Sequence, residues 1–109
     1  MSGGSSSSTD WRPSPPAGGD DCNIIEITAL NSPSKAVLEG LQANDVLDIA
    51  YEVGPPQRLV ALRQGKIAGS ITSPQMLAII RCIADQHREY VAVMITIRGA
   101  IYQIRVQPK

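Results

Sequence analysis

Apolar and polar residues alternate most regularly near the end of the chain, on either side of Gly99. The apolar positions are Val91, Val93, Ile95 and Ile97 before it, and Tyr102, Ile104 and Val106 after it. A period of two indicates a strand with one buried face, and a glycine between two such runs indicates a hairpin. A turn at Gly99-Ala100 places both apolar sets on the inner face. The pairs are then Ile97 with Tyr102, Ile95 with Ile104, and Val93 with Val106. A turn shifted by one residue changes these pairs but keeps the same inner face, so the face is predicted and the register stays open.

Four further runs are typical of strands. Residues 23–30 are rich in β-branched side chains, with Ile25 and Ile27 on one face and Ile24 on the other. Residues 45–53 alternate, and their predicted inner face is Leu47, Ile49, Tyr51 and Val53. Residues 58–63 and 66–71 flank a tight turn at Gln64-Gly65, which predicts a second hairpin.

Two Ser-Pro pairs mark helix starts. Ser32 and Ser73 can each cap the free amides of a helix, and the prolines after them suit its first position, where the missing N–H costs nothing. We therefore predict helices over residues 33–39 and 74–84. In the second helix, Met76, Ile79, Ile80 and Ile83 recur at helical spacing, so they are expected to face the sheet.

The resulting order, β-α-β-β-β-α-β-β, indicates the α+β class. The two hairpins require antiparallel pairing, and two helices are too few for a doubly wound sheet. We expect a curled antiparallel sheet or small β-barrel with two helices packed on it, forming one domain over residues 22–109. In residues 1–21, fourteen residues are Ser, Thr, Gly or Pro. Such a segment cannot bury enough surface to offset its ordering entropy, which predicts a disordered tail.

Charge is divided unevenly although the net charge is zero. Residues 1–53 carry eight acids and two bases, and residues 54–109 carry eight bases and two acids. Two interpretations stay open: charge that intermixes on the folded surface, or a basic face for nucleic acid. The candidate nucleic-acid-binding residues are Arg58, Arg63, Lys66, Arg98 and Arg105.

The residue inventory argues against catalysis and metal binding. His87 is the only histidine and follows the second predicted helix, where a solvated imidazole suits the helix dipole. Cys22 and Cys82 are too few and too far apart to indicate a zinc site or a disulfide framework, and Cys82 is expected to be a buried reduced thiol. We therefore expect no enzyme activity, no cofactor and no metal. Without a signal peptide or an apolar span, the predicted location is cytoplasmic, away from the membrane.

Residues 37–49, read as VLEGLQANDVLDI, resemble the "L-x-x-G-D-x-L-x-L" segment of the HIRAN domain. Further on, Val60-Ala61-Leu62 and residues 65–71 resemble that family's "A-V-x-V … G-x-x-[IV]-G-x-[IL]" core. HIRAN domains are small β-barrel modules with two helices, found in helicase-like DNA repair enzymes and alone in bacteria. This resemblance implies binding of single-stranded DNA, notably of free 3′ ends.

A second resemblance is to the PDZ domain, a peptide-binding module. Residues 31–36 (NSPSKA) and 39–47 (EGLQANDVL) are similar to its "S-P-A-x-x-A-G-L-x-x-G-D-x-I-L" motif, with Asn44 at the place of its glycine. This resemblance implies peptide binding. The neutral net charge, the edges of the sheet and the predicted flexible tail separately favour a protein–protein adaptor, since an exposed edge strand can accept a strand from a partner. The sequence thus predicts a small binding module and leaves two partners open, single-stranded DNA and another protein. It leaves the oligomeric state open too.

Overall fold

A computed structural model describes residues 22–109, and the predicted tail lies outside that range. The elements are β1 (Glu26–Ala29), α1 (Lys35–Leu38), β2 (Val46–Glu52), β3 (Arg58–Arg63), β4 (Lys66–Ile71), α2 (Met76–Gln86), β5 (Tyr90–Arg98) and β6 (Ile101–Pro108). The α+β class and the order of elements are confirmed. The bounds of β3 and β4 are those predicted, and the turn between them has left-handed backbone at Gln64 (φ 54°) and Gly65 (φ 82°).

The six strands form one curled, half-barrel sheet in the order β1-β6-β5-β2-β3-β4, and every pairing is antiparallel. Just after β1, Asn31 forms an isolated bridge with Ser70 on β4. The Asn31 N–H donates to the Ser70 carbonyl at 2.8 Å, and the Ser70 N–H donates back at 2.9 Å. A Cβ on the neighbouring Gly69 would lie 3.1 Å from the Asn31 carbonyl oxygen. A side chain at this position would therefore crowd the backbone where the two ends of the sheet meet.

The core lies inside the curl of the sheet, beneath α2. Its largest fully enclosed side chains are aliphatic or sulfur-containing: Leu47, Leu59, Ile71, Ile79, Met94, Ile104, Val106 and Cys22. On α2, Ile79 and Ile80 are buried and Met76 and Ile83 pack against the core, which confirms the predicted helix face. Beyond the end of β2, Val53 is 82% exposed, so its predicted inward position is wrong.

The last hairpin has only some of the pairs that a turn at Gly99-Ala100 would give. Ile97 pairs with Tyr102 as expected, but Ile104 pairs with Met94 and Val106 with Ala92. A β-bulge makes Ile95 an extra residue between the pairs of Met94 and Thr96, and this reverses the alternation. The predicted inner face of β5, with Val93 and Ile95, is therefore wrong up to the bulge, whereas that of β6 is right.

Both helices begin later than the Ser-Pro pairs predicted. The N-cap of α1 is Ser34, because residues 31–34 are bonded to β4: the Ser34 N–H donates to the Ala68 carbonyl at 2.7 Å. Ser32 instead has left-handed backbone (φ 48°). The N-cap of α2 is Gln75, and neither helix has a side-chain cap. No helix formed by residues 22–109 is long and apolar enough to cross a membrane.

Cys22 and Cys82 form a disulfide, so the predicted reduced thiol at Cys82 is wrong. Their Cα atoms lie 5.7 Å apart although 60 positions separate them in sequence. The chain just before β1 lies against the C-terminal half of α2, and the Tyr90 hydroxyl donates to the Cys22 carbonyl on the same side. Sequence spacing gave no sign of the bond, because tertiary packing alone brings the two residues together.

Candidate functional site

The five predicted nucleic-acid-binding residues do not form one patch. Arg58 donates to Glu52 Oε1 from Nε (3.0 Å) and Nη2 (2.7 Å), and Arg63 Nη1 donates to the carbonyls of Val37 (2.9 Å) and Glu39 (2.6 Å). Arg63 therefore donates hydrogen bonds to carbonyls at the C-terminal end of α1, where helix carbonyls lack intrahelical partners.

The register of the sheet also separates these residues. Arg58 pairs with Glu52 at one end of β2, whereas Val46 at the other end pairs with Val93 on β5. Arg98 lies further still in that direction. At about 3.3 Å per residue, Arg58 and Arg98 are roughly 30 Å apart along the strands. A single ligand on one basic face cannot contact both unless it spans most of the sheet.

Arg98 and Arg105 do share the outer face of the sheet. Arg98 pairs with Ile101 and Arg105 pairs with Ile27, so these four side chains lie on the side opposite the core. Arg105 Nε donates to Gln107 Oε1 at 2.7 Å, while Arg98 makes no ion pair with any described residue. Lys66 is exposed on the edge strand β4, paired with Arg63.

The His87 imidazole lies at the end of α2, and the possible metal ligands among the described residues do not cluster. His87 is exposed and caps the end of α2 in the left-handed conformation (φ 55°), which confirms the predicted helix-end position. Within residues 22–109, no three His, Cys, Asp or Glu side chains come close enough to hold a metal ion together.

β1 has an open edge. Its only strand partner among the described residues is β6, and the Leu30 N–H donates to the Tyr102 carbonyl on that side. Backbone groups of successive strand residues point to opposite sides, so Ile27 and Ala29 direct their N–H and C=O groups away from β6. Asn31 is in the same phase and does bond outward, to Ser70. The outward groups of Ile25, Ile27 and Ala29 have no backbone partner in the part of the chain described here.

A cleft lies between α1 and the tip of the β5–β6 hairpin. Its volume is about 470 Å³, and it is lined by Lys35, Ala36, Leu38, Glu39, Gly40, Leu41, Ile97 and Tyr102. A smaller cavity of about 180 Å³ adjoins it and shares Lys35 and Tyr102. Leu38, Leu41 and Tyr102 are buried, whereas Lys35 and Glu39 are exposed at the rim.

No family model, curated protein or solved structure matches this chain. Function is therefore inferred from its own residues.

Sequence reasoning considered an exposed edge strand in general but did not identify β1 as that edge, and it missed the cleft. The alternation of Ile25 and Ile27 predicted a strand, but nothing local in the sequence states that β1 pairs on one side only. No sequence motif marked Lys35 as a binding residue, and Tyr102 was predicted only as an inward-facing residue. Both sites depend on strand order, which long-range packing decides.

Proposed function

We propose that this protein is a non-catalytic interaction module that binds an extended peptide segment of another protein along the open edge of β1. The observation that carries the proposal is the row of outward backbone groups at Ile25, Ile27 and Ala29, which no described strand covers. Such an edge pairs readily with an added strand, because the incoming backbone supplies the missing donors and acceptors.

The side chains beside this edge support the proposal. Ile25 is 65% and Ile27 is 57% exposed on the outer face, although isoleucines of an isolated domain are more often buried. In strand addition, backbone hydrogen bonds provide affinity and alternate side chains provide selectivity. A bound segment with apolar residues at alternate positions would pack against these isoleucines. The resemblance of residues 31–47 to PDZ domains is in keeping with a peptide-binding role.

The Ile27→Pro substitution tests the proposal, because it removes an outward N–H without removing a bond to β6. Selection from a display library of linear random peptides should enrich binders on the wild type. A synthetic peptide from that selection should bind Ile27→Pro at least about tenfold more weakly, and Ile27→Val, which keeps the N–H, almost normally.

Two results would contradict strand binding at β1. One is no enrichment over the blank surface with wild-type protein. The other is undiminished peptide binding by an Ile27→Pro variant that thermal melting shows to be folded. If that variant does not fold, amide shifts of the wild type decide: peptide must perturb residues 25–29 most strongly.

Single-stranded DNA binding is the second candidate, favoured by the shared outer face of Arg98 and Arg105. Two guanidinium groups on one open face can contact phosphates of the same strand, and the HIRAN-like segments support the same partner. Arg58 and Arg63 bond to groups of the protein itself. Fewer cations are therefore available to contact DNA phosphates than the sequence predicted.

We expect a fluorescent thymidine oligonucleotide of about 15 nucleotides to bind weakly, and less tightly as salt rises from about 50 to 200 mM. Replacing both Arg98 and Arg105 by Gln should lower the affinity and flatten the salt dependence, as measured by fluorescence anisotropy. Arg58→Gln, which removes a cation at the opposite end of the sheet, is the matched control and should change little. Absence of binding at low salt, or indifference to salt, would exclude this candidate.

The cytoplasmic location predicted from the sequence stays a prediction. A disulfide such as Cys22–Cys82 is more typical of proteins in oxidising compartments, so the bond favours an extracytoplasmic environment instead.

A further inference from the structure

We propose that the cleft between α1 and the β5–β6 hairpin binds an aliphatic carboxylate. In this arrangement the alkyl chain lies on the apolar floor, and the carboxylate is held between Lys35 and the Tyr102 hydroxyl. The proposal does not depend on strand binding at β1.

Tyr102 gives the first observation. The residue is only 8% exposed, yet its hydroxyl makes no hydrogen bond with any of residues 22–109. The side-chain oxygens that are enclosed without a partner belong to Glu26 and Ser73, so the Tyr102 hydroxyl is not sealed inside the protein. Because Tyr102 lines both cavities, its hydroxyl is the polar group that this buried side chain can offer to a ligand there.

Lys35 gives the second observation. It lines both cavities as well, and no described carboxylate lies within ion-pair distance of its ammonium group. An ammonium and a phenol hydroxyl both donate hydrogen bonds, and a carboxylate only accepts them. The two donors that the cavities share therefore favour an anion over a cation.

The floor of the cleft is apolar. Leu38 is 2% and Leu41 9% exposed, and Ile97 at the hairpin end is 38% exposed. A volume of about 470 Å³ lies in the usual range of small-molecule sites, which combine an apolar lining with a few placed polar groups. Glu39 lines only the larger cavity, so its charge opposes an anion at one side of the cleft.

Octanoate is a suitable probe, with octan-1-ol as its uncharged counterpart. In an amide NMR titration of the full chain, octanoate should shift residues 35–41 and 97–102 and bind more tightly than octan-1-ol. Lys35→Gln should weaken octanoate binding by about tenfold, since a charge-assisted hydrogen bond is lost, and Tyr102→Phe by about fivefold. Glu39→Gln should strengthen it, because a like charge is removed.

The proposal is overturned if octanoate leaves these two segments unshifted, or if octan-1-ol binds as tightly. It is also overturned if folded Lys35→Gln and Tyr102→Phe variants, verified by thermal melting, both bind octanoate like the wild type. Substitution of Ile27 should leave octanoate binding unchanged, so this site and the β1 edge can fail separately.

Discussion

Met94 and Ile95 are neighbours in β5 that meet different environments. Met94 is completely buried, while Ile95 is the extra residue of the bulge and only partly buried. The alternation of β-branched residues favoured Ile95 as the inward residue, since isoleucine is the commoner core side chain of a strand. The flexible methionine instead fills the space beside Ile104.

This difference predicts unequal costs of truncation. Met94→Ala should lower the free energy of unfolding by about 2–5 kcal/mol, because it leaves a cavity in the core. Ile95→Ala should cost about 1 kcal/mol, as fewer contacts are lost. Urea unfolding of both variants measures the two values. A larger loss for Ile95→Ala would mean that the bulge lies elsewhere on β5.

Arg63 illustrates why a charged residue is hard to assign from sequence. It was predicted to bind nucleic acid, but its guanidinium donates hydrogen bonds to the carbonyls of Val37 and Glu39 at the end of α1. A helix of four residues has few internal hydrogen bonds, so such an external donor helps to hold it. Nothing in the local sequence of β3 distinguishes this role from a surface charge.

At the scale of elements, patterns with a local cause were predicted well. β3 and β4 have the predicted bounds because Gln64-Gly65 supplies the two left-handed residues that a tight hairpin turn needs. The order of all eight elements followed from similar signals. The start of α1 was misplaced because residues 31–34 bond to β4, which is 34 or more positions away. Long-range pairing overrode the local Ser-Pro signal there.

The candidate sites could be predicted less well than the fold. Each depends on which strands lie side by side, and the order β1-β6-β5-β2-β3-β4 is set by packing between segments far apart in sequence. Strand alternation placed Arg98 and Arg105 on one outer face, which the register confirms. It did not indicate that β1 has a single neighbour, or that Lys35 and Tyr102 meet at one cleft.

At the scale of the whole molecule, the Cys22–Cys82 disulfide ties the beginning of the described chain to α2. It closes a loop that includes β1, α1 and the hairpin of β3 and β4. A covalent link across so long a segment restricts the unfolded chain more than a short one would, which raises the relative stability of the folded state.

We therefore expect Cys22→Ser/Cys82→Ser to lower the free energy of unfolding by about 4 kcal/mol on the chain-entropy model. Urea unfolding of the oxidised wild type and the double variant measures the difference. Reduction of the disulfide in the wild type should lower the free energy of unfolding by a similar amount. Equal stabilities, or two free thiols in the native protein by alkylation and mass spectrometry, would contradict a stabilising bond.

The bridge between Asn31 and Ser70 limits the length of a peptide that could pair with β1 under the proposed function. Because the outward backbone groups of Asn31 are already bonded to β4, an incoming strand must stop at Ala29. Only about five residues of a partner can then pair with the edge, at about 3.3 Å each. The protein would thus recognise a short linear motif rather than a long segment. Discrimination among partners would depend on the few side chains of that motif.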